Sequence, residues 1–205
     1  MKKIYLHQGD IPHNIQWGES VAVDTETMGL NPFRDRLCLV QLRSAHGETH
    51  IVQFQANSPY QAPNLQKLFA DESILKIFHF ARFDIGFLYR FLHVMPRPLY
   101  CTKIASKLCR TYTDRHGLKE LVKEILSIEL EKETQTSDWG ASVLTQKQID
   151  YAAQDVLHLH DLKAELDVRL AREHRVDLAG AAFEFLPFRA ALDLLGLDNY
   201  DIFSH

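Results

Sequence analysis

Ser20-Val-Ala-Val-Asp-Thr-Glu26 is a short apolar run that turns acidic, the pattern of a buried strand ending in something polar. Gly29, Asn31 and Pro32 mark the turn that follows it. Arg36–Leu42 and His50–Phe54 read as two more strands, joined by Ser44-Ala-His-Gly-Glu48, so the first three strands form an antiparallel meander. Asn64–Ala70 reads as a short helix and Ile74–Phe80 as a fourth strand. From Arg82 the period changes: Phe83, Phe87, Leu88 and Phe91 recur at helical spacing, and the helix must stop before Pro96 and Pro98. Leu99–Thr102 is a candidate fifth strand, with helices near Lys103–Cys109 and Gly117–Leu126 and a charged, irregular stretch over Glu129–Trp139. Gln146–Arg172 lacks Gly and Pro and carries a helical apolar stripe from Ile149 to Leu166, which predicts one long helix. A last helix over Arg189–Leu195 would have Pro187 at its start and Gly196 past its end. A meander followed by alternating strands and helices predicts an α/β domain with a mixed sheet.

The chain has 205 residues, 46% apolar and 24% charged, enough for one domain with a real core. We expect that domain over residues 1–172, with 173–205 a C-terminal helical extension packed on it. The composition excludes disordered, collagenous and disulfide-scaffold classes. Apolar runs such as Ile85–Leu88 are too short to span a membrane, and no apolar stretch follows the N-terminal lysines to make a signal peptide. Three cysteines without a metal-type pair suit a reducing, cytoplasmic setting. A net charge of −4 argues against gripping duplex nucleic acid by bulk electrostatics. Locally, residues 103–123 hold Lys103, Lys107, Arg110, Arg115, Lys119 and Lys123 against Asp114 and Glu120. The Lys119/Lys123 pair, at i and i+4, is either a phosphate-binding rail or a solvated helix face.

Three sets of polar residues do not look structural. Asp24 and Glu26 share one face of their strand, where two carboxylates repel unless something positive sits between them. Acid-x-acid pairs are common, and Glu129/Glu131 and Glu131/Glu133 repeat the spacing in a charged loop. Asp84 sits where a helix begins, a position the macrodipole also favours. Tyr151 and Asp155 share a face of the long helix beside its apolar stripe. Together, four carboxylates converging at one end of the sheet suit two hard divalent cations, Mg²⁺ or Mn²⁺, of the kind that assist phosphoryl displacement. His158-x-His160 on a helix does not make a zinc pair, and no other His/Cys set suits a zinc enzyme.

Val23-Asp-Thr-Glu-Thr-Met-Gly-Leu30, His79-Phe-Ala-Arg-Phe-Asp84 and Tyr151-Ala-Ala-Gln-Asp-Val156 resemble, in order, the three exonuclease motifs of the DEDD superfamily in its tyrosine-containing branch. Within that branch the chain is most similar to the ribonuclease D family. Thr102-Lys-Ile-Ala-Ser-Lys-Leu108 and Thr134-Gln-Thr-Ser-Asp-Trp-Gly140 add to the match, which spans about residues 18–170. The resemblance implies a ribonuclease-H-like sheet and 3′→5′ hydrolysis of single-stranded RNA ends to 5′-mononucleotides. It makes Asp24 the bridge between two cations, with Glu26 and Asp155 completing the one beside the attacking water and Asp84 holding the other. Tyr151 orients the water; Thr25, Met28, Gly29 and Leu30 grip the terminal nucleotide; His79 and Phe83 border its pocket.

Two departures bear on substrate. Phe80 stands where many relatives have Asn, which removes a polar contact, and too few residues follow Arg172 for the helical nucleic-acid-binding domains of full-length ribonuclease D. A DNA exonuclease and a non-catalytic binding module on the same fold are the alternatives. Retention of all four acids and the tyrosine argues against the module. Trp139 reads as a core anchor before a substrate contact. Phe183, Phe185, Phe188, Leu192 and Leu195 need burial against the domain or in a homodimer, so monomer and homodimer both stay open.

Overall fold

The computed structural model describes residues 3–130 and 137–205. Its sheet is built on β2 (Ser20–Thr27), whose apolar half is fully buried because it has neighbours on both sides. β2 pairs antiparallel with β3 (Leu37–Ser44), which pairs antiparallel with β4 (Thr49–Gln53), the expected meander. On its other side β2 runs parallel to β5 (Leu75–Phe78), and β5 runs parallel to β6 (Leu99–Cys101). With β1 (Ile4–Gln8) parallel to β4, the order is β1-β4-β3-β2-β5-β6.

The helices described are α1 (Pro63–Ala70), α2 (Ala81–Leu92), α3 (Thr102–Cys109), α4 (Leu118–Leu126), α5 (Gln146–Leu157), α6 (Leu159–Arg172) and α7 (Val176–Leu194). The main core runs from Val21, Val23 and Ile77 of the sheet to Ile85 and Leu88 of α2 and Leu159, Leu162 and Leu166 of α6. A smaller cluster on the other face joins Leu39 and Ile51 to Ala152 and Ala153 of α5. The sheet is therefore covered on both faces, as its continuous apolar strands require.

The structure departs from the sequence expectations at three places. β1 was not anticipated: as an edge strand with one neighbour it half-buries only Ile4 and His7, so it carries no apolar alternation. The long helix over Gln146–Arg172 is two helices, broken at His158 (φ −112°, ψ 5°). α5 packs on β2, β3 and β4, whereas α6 packs on α3, α4, α7 and β5, so the break lets one apolar stripe follow two different surfaces. α7 begins at Val176, so Pro187 lies inside it rather than at its start, while Gly196 (φ +80°) does follow its end. Burial of Ala179 and Phe183, the latter with its ring centroid 4.6 Å from that of Tyr100, favours helix ahead of the proline. α7 packs against α2, α3, α6 and β6. Phe183 is buried, but Phe188 and Leu195 are exposed. The irregular stretch expected over Glu129–Trp139 falls largely on residues 131–136, outside the described residues.

One buried cation ties the sheet's β5–β6 end together. Lys76 is fully buried, and its Nζ donates to the carbonyl oxygens of Asp71 (2.5 Å), Ile74 (2.7 Å) and Arg97. Burial lowers its pKa to about 8. Lys76→Met keeps the volume but removes the common donor of three carbonyls. We expect a stability loss of ~2–4 kcal/mol in urea denaturation; a loss below about 1 kcal/mol would show that the ammonium is dispensable.

Candidate active site

β2 carries Asp24 and Glu26 to one face of the sheet, and the β2–β3 register shifts between Glu26 and Thr27. A bulge at that point turns the strand end and separates it from its partner beside the acids. α5 brings Asp155 over the same face. Its start is held by a capping box: Thr145 Oγ1 accepts from Gln148 N, and Thr145 N donates to Gln148 Oε1 at 2.9 Å. Carboxylate oxygens of Asp24, Glu26 and Asp155 lie within 4.8 Å of one another. Asp84, in the first turn of α2, is buried beside them and accepts from Thr25 Oγ1 at 2.7 Å.

This arrangement disfavours the charged forms of Asp24 and Asp84. Burial, and then the charge of Asp84, pushes Asp24 well above the usual carboxylate range. Burial pushes Asp84 to about 7 against the hydrogen bond from Thr25, and Asp155 adds to the rise. Without counter-charge the cluster must take up protons, and an all-oxygen set at this spacing suits a hard divalent cation. Cross-strand from Asp24, Gln41 is fully buried, and its amide has no hydrogen-bond partner among the described residues.

Glu26 and Tyr151 also wall a cavity of about 420 Å³, completed by Thr25, Met28, Gly29, Leu30, Phe83, Ser137 and Trp139. The turn presenting Leu30 is rigid. A Cβ on Gly29 would lie 2.3 Å from the Asp35 carboxylate, which accepts from Asn31 N (3.0 Å) and Arg34 (2.8 Å). Leu30 is thereby held 81% exposed. Trp139 packs on the cluster of Leu39 and Ile51 and also faces Tyr151, ring centroids 6.0 Å apart. Arg36 and Gln53 hold its segment through the carbonyls of Gly140 (3.0 Å) and Ala141 (2.8 Å). Trp139 thus anchors the smaller core cluster and also lines the cavity. Its position just before α5 in a matched motif was the available signal, and the apolar character of the residue hid the second role.

Other expected residues are placed differently. His79 lines neither this cavity nor the neighbouring one; its Nδ1 lies 2.8 Å from Thr102 Oγ1, and burial beside Lys103 lowers its pKa to about 3. Lys119 and Lys123 are exposed on α4, line neither cavity, and Lys123 donates to Glu129 at 2.7 Å. Arg110, counted in the basic stretch, is fully buried and bonded to Glu124, so that stretch is not a continuous cationic surface. Phe80 was read only as a missing polar group. It adopts a left-handed conformation (φ +68°) that costs a side chain of its type roughly 1–2 kcal/mol.

Residues 10–171 match the family model described as 3′-5′ exonuclease. Among solved structures, Brucella melitensis NrnC is 52% identical with a TM-score of 0.95, covering 99% of this chain and 98% of that one. Further structures of that protein hold bound Mg²⁺ and pGG. Escherichia coli RNase D is 25% identical with a TM-score of 0.74, covering 84% of this chain and 45% of that one. Ribonuclease D of Acidiphilium cryptum is 36% identical over 157 residues, 77% of this chain and 39% of that protein. The chain thus spans about two fifths of the length of the curated relatives it matches.

The charged cluster makes a thermal prediction. Mg²⁺ should raise the melting temperature more at pH 8 than at pH 6, because protonation of Asp84 as pH falls through about 7 competes with the cation. Asp24→Asn should abolish the shift at both pH values. A shift equal at the two pH values, or retained in the variant, would place cation binding elsewhere.

Proposed function

Because the chain belongs to the 3′-5′ exonuclease family, whose model it matches over residues 10–171, we propose that it is an exoribonuclease removing 5′-mononucleotides from the 3′ ends of short single-stranded RNA. The observation that carries this reading is the shared wall of the cavity. Glu26 and Tyr151 of the acidic end line the same cavity as the Met28–Leu30 turn, so a strand end seated there brings its last phosphodiester to the carboxylates.

Divalent cations held by Asp24, Glu26, Asp84 and Asp155 would supply the positive charge that phosphoryl transfer requires. The chain's own groups do the rest. Tyr151 orients the attacking water from the cavity wall, Leu30 wedges against the terminal base, and Trp139 lines the cavity beside Tyr151. Thr25 fixes the Asp84 carboxylate through its hydroxyl. RNA is favoured by relatives named ribonuclease D. Short chains are favoured by pGG, two guanosines joined by one phosphodiester, bound to a relative of nearly equal length.

The test offers pGG, a single-stranded RNA of about twelve residues and the matched DNA, each labelled at the 5′ end, with Mg²⁺, Mn²⁺ or EDTA. We expect metal-dependent shortening of the RNA from its 3′ end and conversion of pGG to pG. Asp24→Ala and Asp155→Ala should be nearly inactive. Tyr151→Phe should lose about 10²–10⁴-fold but keep measurable activity. DNA shortened faster than RNA would overturn the RNA assignment, and a fully active Tyr151→Phe would remove the water-orienting role.

A further inference from the structure

Neither helix capping nor backbone conformation favours phenylalanine at position 80. It occupies the N-cap position of α2, where Asn, Asp or Ser would bond a free amide, and it makes no capping bond. Its positive φ is tolerated best by glycine and asparagine. Its ring is 46% exposed, so core packing does not hold it there. An aromatic side chain kept in an unfavourable backbone state at the edge of a reactive cluster marks a functional position.

The ring lines a second cavity of about 430 Å³, with Leu30, Phe33 and Phe83. Leu30 and Phe83 also wall the first cavity, so the two lie on either side of one partition. A strand whose terminal nucleotide fills the first cavity therefore leads its preceding nucleotide into the second. Lys103 Nζ stands over the Phe80 ring, 4.0 Å from its centroid, a cation suited to an approaching polyanion. The far wall includes Asp193 and Asp198, tied back by Arg82, which donates to the Asp193 carboxylate at 2.5 and 2.7 Å and to the Asp198 carbonyl at 2.9 Å. Both arginines of the lining, Arg34 and Arg82, are already paired with carboxylates, whereas the four phenylalanine rings of Phe33, Phe80, Phe83 and Phe87 favour the flat face of a base. The far wall lies beyond residue 171, where the family match ends.

We propose that the cavity under Phe80 is the subsite for the nucleobase immediately upstream of the scissile phosphate, with Phe80 as the stacking, specificity-determining residue. The assignment rests on the exonuclease reading above for the direction of the strand. Phe80→Asn removes the ring and suits the backbone, so folding is not at stake. Binding of pGG, and of the same dinucleotide with its 5′ base removed, is measured by calorimetry with Ca²⁺ in place of Mg²⁺. The native protein is expected to bind pGG on the order of 10-fold more tightly than the abasic ligand. Phe80→Asn should erase that ratio by weakening pGG alone. A native protein that does not distinguish the ligands, or a ratio that survives the substitution, overturns the subsite. Cleavage in Mg²⁺ is followed on the same preparations; the expected binding ratio without cleavage would leave the subsite standing and sink the exonuclease reading.

Discussion

Mutual repulsion among four partly or fully buried carboxylates is the constraint around which this molecule is arranged. Asp24 and Glu26 arrive on the central strand, Asp84 on the helix that follows the parallel neighbour strand, and Asp155 on a helix laid over the opposite flank. Two full charges 4 Å apart interact by about 4 kcal/mol even at an effective dielectric of about 20. The upward displacement of both Asp24 and Asp84 expresses that repulsion added to the loss of water. A flexible frame would relax by spreading the acids apart. This one resists because β2 is bonded on both sides, α5 is fixed by its capping box, and Thr25 ties Asp84 to the strand that carries Asp24.

The same rigidity extends to the rim. Gly29 is needed because the Asp35 carboxylate lies where a Cβ would stand, and that carboxylate organises the whole turn from Asn31 to Arg34. Gly140 lies close to the same rim, where a Cβ would meet the mobile end of the Met28 side chain. Close approach at Gly140, with the bonds from Arg36 and Gln53, brings the Trp139 segment and the Leu30 turn together over one opening. The result is a preorganised cleft rather than one assembled by its ligand.

Much of this was legible in the sequence, and the exceptions share a cause. The strands from β2 to β6 could be read because buried strands announce themselves as apolar runs, and the i, i+2 spacing of Asp24 and Glu26 put both acids on one face. β1 escaped because an edge strand need not be apolar. The break at His158 escaped because nothing in the local sequence forbids a continuous helix; the change of packing partner imposes it. α7 continues through Pro187 because burial of Phe183 and Leu186 outweighs a lost backbone bond. Arg110 counted as surface charge in the sequence but lies in the interior with Glu124. In the site, the acids and Tyr151 were found by pattern, but the conformation of Phe80 is a property of the backbone that no composition displays. Tertiary context decided each of these cases.

These placements also separate what drives chemistry from what selects a ligand. The carboxylate cluster offers oxygen ligands that suit a hard cation, and it has no means of measuring the length of a chain. Bulk attraction does not supply selection either: the chain is net negative, Arg110 is internal, and Lys123 is engaged with Glu129. What remains are the apolar groups left at the cleft, namely Met28, Leu30, Phe33 and Phe80, all exposed although each would lower its free energy by burial. Four such side chains around adjoining cavities make an apolar surface that a ligand can cover. Flat, uncharged faces fit that role, and in a strand end those faces are the bases. On the proposed reading, selection would reside in the rings and in Leu30, over as many nucleotides as the two cavities admit.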